Sequence, residues 1–398
     1  MVYLGGVVGS VFSIIFMVFL IMTIGYLIGS ISVKGISLGT AGVLLAAILY
    51  GILASKVPSF TIGETEIALF NDALKTRFSF VSSLGTAMFV TAVGLIAGPK
   101  FFRSLNRSFL KFVIMGVVII GIGAVTTGIL ITVDSNLQPE MAVGLMTGAL
   151  TSTPGLSAAK EVAGEMGDLV TTGYGISYLF GVLGVVFFVQ LMPKILKVNV
   201  EEEVKRFVAA ETIKTEESKT KRLYIENFGF FAFALAVTLG CLIGAIKIPG
   251  INFSLGNSGG CLLAGLIVGH FGHIGNIDLT VSKTTLNFVR ELGLGLFLIG
   301  AGVPGGVNFT ANIKLSYFIY GVIITLVPMI VGYILAKKVF KIDLFNALGS
   351  ITGGMTSTPA LGALIQTAGT DDVAASYAAT YPVALVCVVL VAKILIML

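Results

Sequence analysis

Apolar stretches long enough to cross a membrane recur along the whole of this chain, and they leave few architectures open to it. Of its 398 residues, 56% are hydrophobic and only 11% are charged, whereas soluble proteins average about 25% charged residues. A soluble fold of this length would need a larger charged coat than the chain can supply, so lipid must cover much of its surface. We therefore predict an all-α polytopic membrane protein in a lipid bilayer.

We predict ten of these stretches as membrane spans, taking roughly 20 mostly apolar residues as the measure of a spanning helix, although several of them are shorter. In the first half they are 10–31, 38–54, 80–97, 110–133 and 172–196, and in the second half 227–246, 257–271, 291–304, 315–336 and 374–397. Two further apolar segments, 140–166 and 345–370, are interrupted by Pro, Gly and hydroxyl residues. We predict that each of these two forms a discontinuous or re-entrant helix.

The two halves of the chain repeat one another, which is typical of internally duplicated proteins. Residues 147–154, T-G-A-L-T-S-T-P, align with 352–359, T-G-G-M-T-S-T-P. Upstream and in the same order, 23–29 (T-I-G-Y-L-I-G) resembles 238–244 (T-L-G-C-L-I-G). We predict a first membrane repeat at 1–196, a cytoplasmic linker at 197–226 and a second membrane repeat at 227–398.

The number of spans predicts how the repeats are oriented. Because five is odd, the second repeat must enter the membrane in the opposite direction to the first, so the repeats would be inverted. Cytoplasmic loops of membrane proteins carry an excess of Lys and Arg. With the N-terminus external, the basic cluster at 100–111, the linker and the cluster at 337–341 all fall on the cytoplasmic side. This arrangement places both termini, and Lys393 near the C-terminus, on the external side.

The two T-S-T-P segments are the candidate substrate site. A helix broken inside the membrane exposes backbone N–H and C=O groups that protein, water or a ligand must satisfy. Proline removes a backbone donor, glycine permits unwinding and close approach, and hydroxyls can bind a ligand or cap the next half-helix. The N-terminus of a half-helix carries partial positive charge and suits an anion. The candidate residues are Gly148, Thr151, Ser152, Thr153, Pro154, Gly353, Gly354, Thr356, Ser357, Thr358 and Pro359.

Other polar groups give weaker signals. Lys160, Glu161, Glu165 and Asp168 follow the first motif and Asp371-Asp372 follow the second, one or more turns past the breaks and near a surface. The sequence places no cation at the motifs themselves, so hydroxyls and helix dipoles would have to hold an anion. The scattered cysteines and the single H-x-x-H pair lack the spacing of a metal site. The sequence also contains no stripe of basic residues of the kind that binds nucleic acids. We predict no metal, no cofactor, no nucleic-acid partner and no enzymatic activity.

The motifs T-G-A-L-T-S-T-P-G-L and T-G-G-M-T-S-T-P-A-L resemble the signature segments of the aspartate:alanine exchanger family of bacterial transporters. The resemblance covers 10–196 and 227–398. It implies a homodimeric inner-membrane antiporter, in which a core domain carrying both broken helices moves against a scaffold like an elevator. Many relatives carry soluble regulatory domains between their halves, for which the linker here is too short.

The sequence thus predicts a secondary active antiporter for a small anionic or zwitterionic solute, with aspartate and alanine as the model substrates. Inverted repeats that each contain a broken helix are typical of such transporters. Three alternatives remain open: an ion-coupled symporter or cation/proton antiporter of the same fold group, a channel, and, with least support, a membrane-embedded enzyme. A carboxylate at a helix break would favour the first, and loss of trans-stimulation would favour the second.

Overall fold

Helices make up most of the chain in the computed structural model. The structure describes residues 13–33, 36–37, 40–62, 65–104, 110–198, 223–248, 253–307, 309, 313–370 and 373–397. Within these residues lie fourteen α-helices and eight short strands. The predicted linker falls almost entirely outside this range.

The first half contains seven of the helices and two antiparallel hairpins. The helices are α1 (Ile14–Gly29), α2 (Ala41–Lys56), α3 (Asp72–Ser104), α4 (Leu110–Val133), α5 (Pro139–Ala149), α6 (Thr153–Ala163) and α7 (Gly167–Ile195). Strands β1 (Ser32–Val33) and β2 (Ile36–Ser37) form one hairpin, and β3 (Ser59–Ile62) and β4 (Thr65–Ala68) form the other. A single 3₁₀ turn, Gly164–Met166, joins α6 to α7.

The second half repeats this order element by element. Its helices are α8 (Phe230–Ala245), α9 (Gly256–Phe271), α10 (Lys283–Val307), α11 (Leu315–Lys338), α12 (Leu344–Gly354), α13 (Thr358–Ala368) and α14 (Ala374–Met397). Its hairpins pair β5 (Lys247–Ile248) with β6 (Phe253–Ser254), and β7 (His273–Ile274) with β8 (Ile277–Asp278). Helices α8–α14 therefore correspond one to one with α1–α7.

Each of the ten predicted spans coincides with one helix, but the helices differ in length. Six helical segments of the described chain are long and apolar enough to cross a membrane, and they include α3, α4, α7, α10, α11 and α14. Helices α1, α2 and α8 are apolar but reach only 16 residues, or about 24 Å, which is less than the roughly 30 Å of a bilayer's hydrocarbon core. The all-α prediction missed the four hairpins, whose strands are too short to show a periodicity.

The helices pack as two bundles. The six-helix bundle consists of the first three helices of each half, α1–α3 and α8–α10, and the eight-helix bundle consists of α4–α7 and α11–α14. Each bundle therefore combines equivalent elements of both halves. Across the boundary, α6 and α14 of the eight-helix bundle contact α3 and α9, and α7 contacts α2 and α10.

Glycines hold the six-helix bundle together by letting helix backbones touch. A Cβ on Gly94 of α3 would lie 2.6 Å from the carbonyl oxygen of Leu262 in α9. A Cβ on Gly293 of α10 would likewise lie 2.6 Å from the amide nitrogen of Phe89 in α3. Small residues at such crossings allow close van der Waals packing where lipid supplies no hydrophobic drive. Helix α3 therefore packs in close backbone contact with both α9 and α10.

Candidate functional site

The chain leaves helical geometry at both T-S-T-P segments. Helix α5 ends at Ala149 and α6 begins at Thr153, and in the second half α12 ends at Gly354 and α13 begins at Thr358. Proline occupies the first turn of both α6 and α13, where its missing N–H is not needed. The sequence therefore encodes two helix breaks at equivalent positions, with a new N-terminus at each.

One threonine in each break adopts a left-handed backbone conformation. Thr151 has a φ of 52° and Thr356 a φ of 50°, which costs a residue with a Cβ roughly 1–2 kcal/mol. Each is followed by a hydrogen bond that closes the preceding helix, from Ser152 N to Thr147 O at 2.7 Å and from Ser357 N to Thr352 O at 3.1 Å. Backbone strain that the surrounding structure maintains is characteristic of functional sites.

The two breaks contact each other directly through reciprocal hydrogen bonds. Thr151 Oγ1 donates to the carbonyl oxygen of Met355 at 3.0 Å, and Thr356 Oγ1 donates to the carbonyl oxygen of Leu150 at 2.8 Å. Each threonine thus satisfies the carbonyl that immediately precedes its counterpart. This pair of bonds brings residues about 200 positions apart in the sequence to one point.

Serine follows the left-handed threonine in both breaks and is the N-cap of the next half-helix. Ser152 and Ser357 have nearly identical backbone angles, with φ of −94° and −93°. Ser152 Oγ accepts a hydrogen bond from the amide of Gly155 at 3.3 Å. Thr151, Ser152, Thr153, Thr356 and Ser357 are all buried. The side chains of Thr358 and Pro359 lie outside what the structure describes.

The candidate glycines were expected to permit unwinding and close approach, and the structure shows the close approach but not the unwinding. Gly148, Gly353 and Gly354 all lie within helices, and the left-handed positions belong to the threonines instead. A Cβ on Gly148 would lie 2.5 Å from the carbonyl oxygen of Tyr174 on α7. A Cβ on Gly354 would lie 2.5 Å from Ile119 Cδ1 on α4. These glycines allow neighbouring helices to press against the breaks.

Gly148→Ala is expected to destabilise the protein by about 2 kcal/mol, because the added methyl group would overlap the backbone of α7. Thermal unfolding followed by circular dichroism measures this effect. Gly128→Ala on α4 is the matched control, since a Cβ there meets no atom within 4 Å. An unfolding temperature for Gly148→Ala equal to that of the control would refute the packing role.

A pair of neighbouring tyrosine rings lies beside each break. The rings of Tyr174 and Tyr178 on α7 are 5.0 Å apart, and those of Tyr377 and Tyr381 on α14 are 5.1 Å apart. Tyr174 OH also lies 3.3 Å from Thr153 Oγ1 in the first turn of α6. The corresponding helices α7 and α14 therefore carry equivalent aromatic pairs next to the site.

Polar contacts continue from the first break along α6, toward the six-helix bundle. Ser157 Oγ lies 2.7 Å from Ser258 Oγ on α9 and donates to Thr86 Oγ1 on α3 at 3.2 Å. All three hydroxyls are buried. One turn further along, the Glu161 carboxylate accepts a hydrogen bond from the amide of Asn257 at the N-terminus of α9. Polar groups thus cross the boundary between the bundles.

Lys393, which the topology prediction assigns to the external side of the membrane, is buried inside the protein. Its side chain, on α14, is 1% exposed, and its Nζ lies 3.1 Å from Glu161 Oε2. The Glu161 side chain is 30% exposed. The Glu161 carboxylate neutralises the Lys393 ammonium, which explains how this cation can be buried. A lone lysine within the apolar stretch 374–397 was the available signal, because charged residues inside spans are functional candidates.

Asp168, another candidate charge, forms an ion pair with the six-helix bundle. Asp168 at the start of α7 pairs with Lys75 of α3 at 3.4 Å, a partly exposed contact of small energetic value. Asp371 and Asp372 lie outside the described residues. Among the residues that are described, no cluster of three or more His, Cys, Asp or Glu side chains could hold a metal ion.

The chain matches a sequence family over both of its halves. The sequence model of the aspartate:alanine exchanger family, described as a predicted permease membrane region, matches residues 17–194 and 232–397. An uncharacterized transporter of Bacteroides thetaiotaomicron is 26% identical over 96% of this chain and 97% of its own length. Uncharacterized transporters of Desulfotalea psychrophila and Geobacter sulfurreducens are 25% and 24% identical, over 96% and 95% of this chain.

These relatives are longer than the chain. The alignment with the Bacteroides transporter runs over 540 positions against the 398 residues here, so at least 142 of its positions (540 less 398) have no counterpart. The family match stops at 194 and resumes at 232. That interval contains the predicted linker.

Proposed function

Since the chain belongs to the aspartate:alanine exchanger family, we propose that it is a secondary active antiporter of small amino acids or carboxylates, with aspartate and alanine as the first candidates. Its relatives are named as transporters, and its long apolar helices are those of a multi-pass membrane protein. The observation that carries the proposal is the reciprocal bonding of Thr151 and Thr356 at the two helix breaks.

The crossing of two breaks provides a chemistry suited to such substrates. Both α6 and α13 begin there, and a helix N-terminus offers free N–H groups and a partial positive charge to an anion. Unwound backbone and buried hydroxyls add hydrogen-bond partners for an ammonium or a carboxylate. In this proposal the substrate binds beside Thr151, Ser152, Thr356 and Ser357, at the point where the two halves meet.

The two bundles support an elevator-type alternating-access mechanism. Both broken helices belong to the eight-helix bundle, so a substrate held at the crossing would travel with that bundle as one body. The close glycine-mediated contacts of α3 with α9 and α10 make the six-helix bundle rigid. We propose that this bundle is the stationary scaffold against which the eight-helix bundle moves. We further propose a homodimer in the bacterial inner membrane, with inverted repeats and with both termini external.

One observation favours a second candidate, ion-coupled transport. The Glu161–Lys393 pair is a carboxylate and a buried ammonium on two helices of the eight-helix bundle, α6 and α14. Ionisable groups within membrane segments often belong to ion or proton pathways. Movement of a proton through this pair would couple substrate transport to a proton gradient. Exchange and ion coupling differ in whether transport needs that gradient.

Counterflow in proteoliposomes tests the first candidate against the second. Vesicles loaded with L-aspartate are expected to take up labelled aspartate and alanine in the absence of any ion gradient. Ionophores that dissipate sodium and proton gradients are expected to leave this uptake unchanged, because exchange is driven by the internal substrate.

Vesicles without internal substrate and vesicles without protein are the controls. Uptake that requires a proton or sodium gradient and ignores internal aspartate would favour the ion-coupled candidate. Folded protein that takes up neither amino acid under either condition would remove the substrate assignment.

A further inference from the structure

The two helix breaks are nearly identical in backbone geometry, which makes a difference in their hydrogen bonding informative. Thr151 and Thr356 share a left-handed φ, the serines that follow share their φ and ψ, and the cross-bonds are reciprocal. The difference lies in the serine hydroxyls. At one break the serine is bonded to its own half-helix, and at the other it is not.

Ser152 closes the N-terminus of α6. Its Oγ accepts the hydrogen bond of the Gly155 amide, three residues ahead, in the usual geometry of an N-cap. One of the free N–H groups at this N-terminus is thereby satisfied by the protein itself. An anion arriving at α6 would have to compete with this bond.

Ser357 leaves the N-terminus of α13 open. The residue is 0% exposed, yet within the described part of the chain its Oγ has no hydrogen-bond partner and makes no cap bond to the half-helix. A buried hydroxyl without a partner is costly, so such groups call for an explanation. Helix α13 has 11 residues, long enough for its N-terminus to carry a helix-dipole charge.

We propose that the N-terminus of α13, together with the Ser357 hydroxyl, binds the carboxylate of the substrate, while the N-terminus of α6 is closed by Ser152 and serves to position the crossing. This inference rests on the proposed function and assigns unequal roles to two motifs of identical sequence. The ligand class is a small carboxylate, which accepts hydrogen bonds from the Ser357 O–H and from first-turn N–H groups.

The test measures binding and folding separately. Purified full-length protein is titrated with L-aspartate while its thermal unfolding is followed by circular dichroism. Ser357→Ala is expected to weaken apparent affinity about tenfold to a hundredfold, the usual cost of losing a hydrogen bond to a charged group. Its unfolding temperature without ligand is expected to stay at the wild-type value, because the hydroxyl has no partner to lose. Ser357→Thr retains the hydroxyl and is expected to retain affinity.

Ser350→Ala is the matched control, because Ser350 is another buried serine of the same region, whose hydroxyl bonds only the carbonyl of Asn346 in its own helix. Its affinity for aspartate is expected to equal that of the wild type. A carboxylate requirement is tested by comparing L-alanine with L-alaninamide, which lacks the negative charge. Only the former is expected to bind.

The outcomes separate this inference from the proposed function. Wild-type affinity in Ser357→Ala, in protein that exchanges aspartate normally, would overturn the inference and leave the function standing. A large fall in the unligated unfolding temperature of Ser357→Ala would also overturn it, by revealing a structural role. Binding of another carboxylate such as succinate, lost in Ser357→Ala while aspartate is not transported, would support the inference and refute aspartate exchange. Wild-type protein that binds no carboxylate would overturn the inference.

Discussion

Replacing Glu161 by Gln is expected to lower the free energy of unfolding by about 3 kcal/mol, because the buried ammonium of Lys393 loses its neutralising carboxylate. Lys393 is 1% exposed and lies 3.1 Å from the carboxylate. Replacing Lys393 by Met is expected to lower the free energy of unfolding by only about 1 kcal/mol. The remaining Glu161 side chain is partly exposed to water and still accepts the hydrogen bond from the Asn257 amide. The two partners of one ion pair should therefore differ in their sensitivity to substitution.

Combining Glu161→Gln with Lys393→Met is expected to recover most of the stability lost in Glu161→Gln, because no uncompensated charge stays buried. The chain has no tryptophan, so thermal unfolding is best followed by circular dichroism. Glu165→Gln, which neutralises an exposed carboxylate on the adjacent 3₁₀ turn, is the control for the change in net charge. Equal destabilisation by Glu161→Gln and Glu165→Gln would show that the ion pair contributes nothing.

The double variant Thr151→Val/Thr356→Val is expected to reduce the initial rate of exchange at least about 100-fold, since each change leaves a buried carbonyl unsatisfied at a cost of about 1–3 kcal/mol. Valine retains the size and branching of threonine and removes only the hydroxyl that bonds Met355 or Leu150. Without these two hydrogen bonds the breaks are no longer held against each other, and misplacement of the groups that bind the substrate slows transport.

Serine at the same positions supplies the matched comparison. Thr151→Ser and Thr356→Ser retain the hydroxyl and are expected to transport at close to wild-type rates. Thr127→Val removes a buried hydroxyl that bonds only Gly123 of its own helix, and is expected to leave exchange unchanged. The two single valine variants should have similar effects, because the bonds are reciprocal. Wild-type transport by the double variant would exclude the crossing as the functional centre.

Much of the architecture follows from local sequence properties. The ten apolar stretches coincide with helices, and the breaks lie at the T-S-T-P segments where Pro and hydroxyl residues interrupt apolar runs. The short hairpins were missed, because strands such as Ser32–Val33 span too few residues to show alternation. The inverted orientation of the repeats remains a prediction, although their helices correspond one to one.

The sequence predicted the positions of the two helix breaks correctly, but not which residues adopt the unusual backbone conformation there. Gly148 and Gly353 stood out as positions for unwinding and close approach. They do allow helices to pack closely, but the left-handed residues are Thr151 and Thr356. Propensity favours glycine at a positive φ, and tertiary contacts overrode that preference here. The burial of Lys393 was likewise not predicted, since it depends on the pairing with Glu161, which makes burial of an ammonium tolerable.

By itself, the sequence determined that this chain is a membrane protein of two related halves, each with a helix broken at one T-S-T-P segment. Apolarity, proline and repeated motifs are local properties, and they can be read without knowing which residues meet. Only the tertiary structure decided that Thr151 and Thr356 form hydrogen bonds across the two breaks and that Glu161 neutralises Lys393. It also decided that the Ser152 hydroxyl has a hydrogen-bond partner while that of Ser357 has none among the described residues. These facts depend on partners as many as 232 positions apart, and the energy of a polar group inside a membrane is set by its partner.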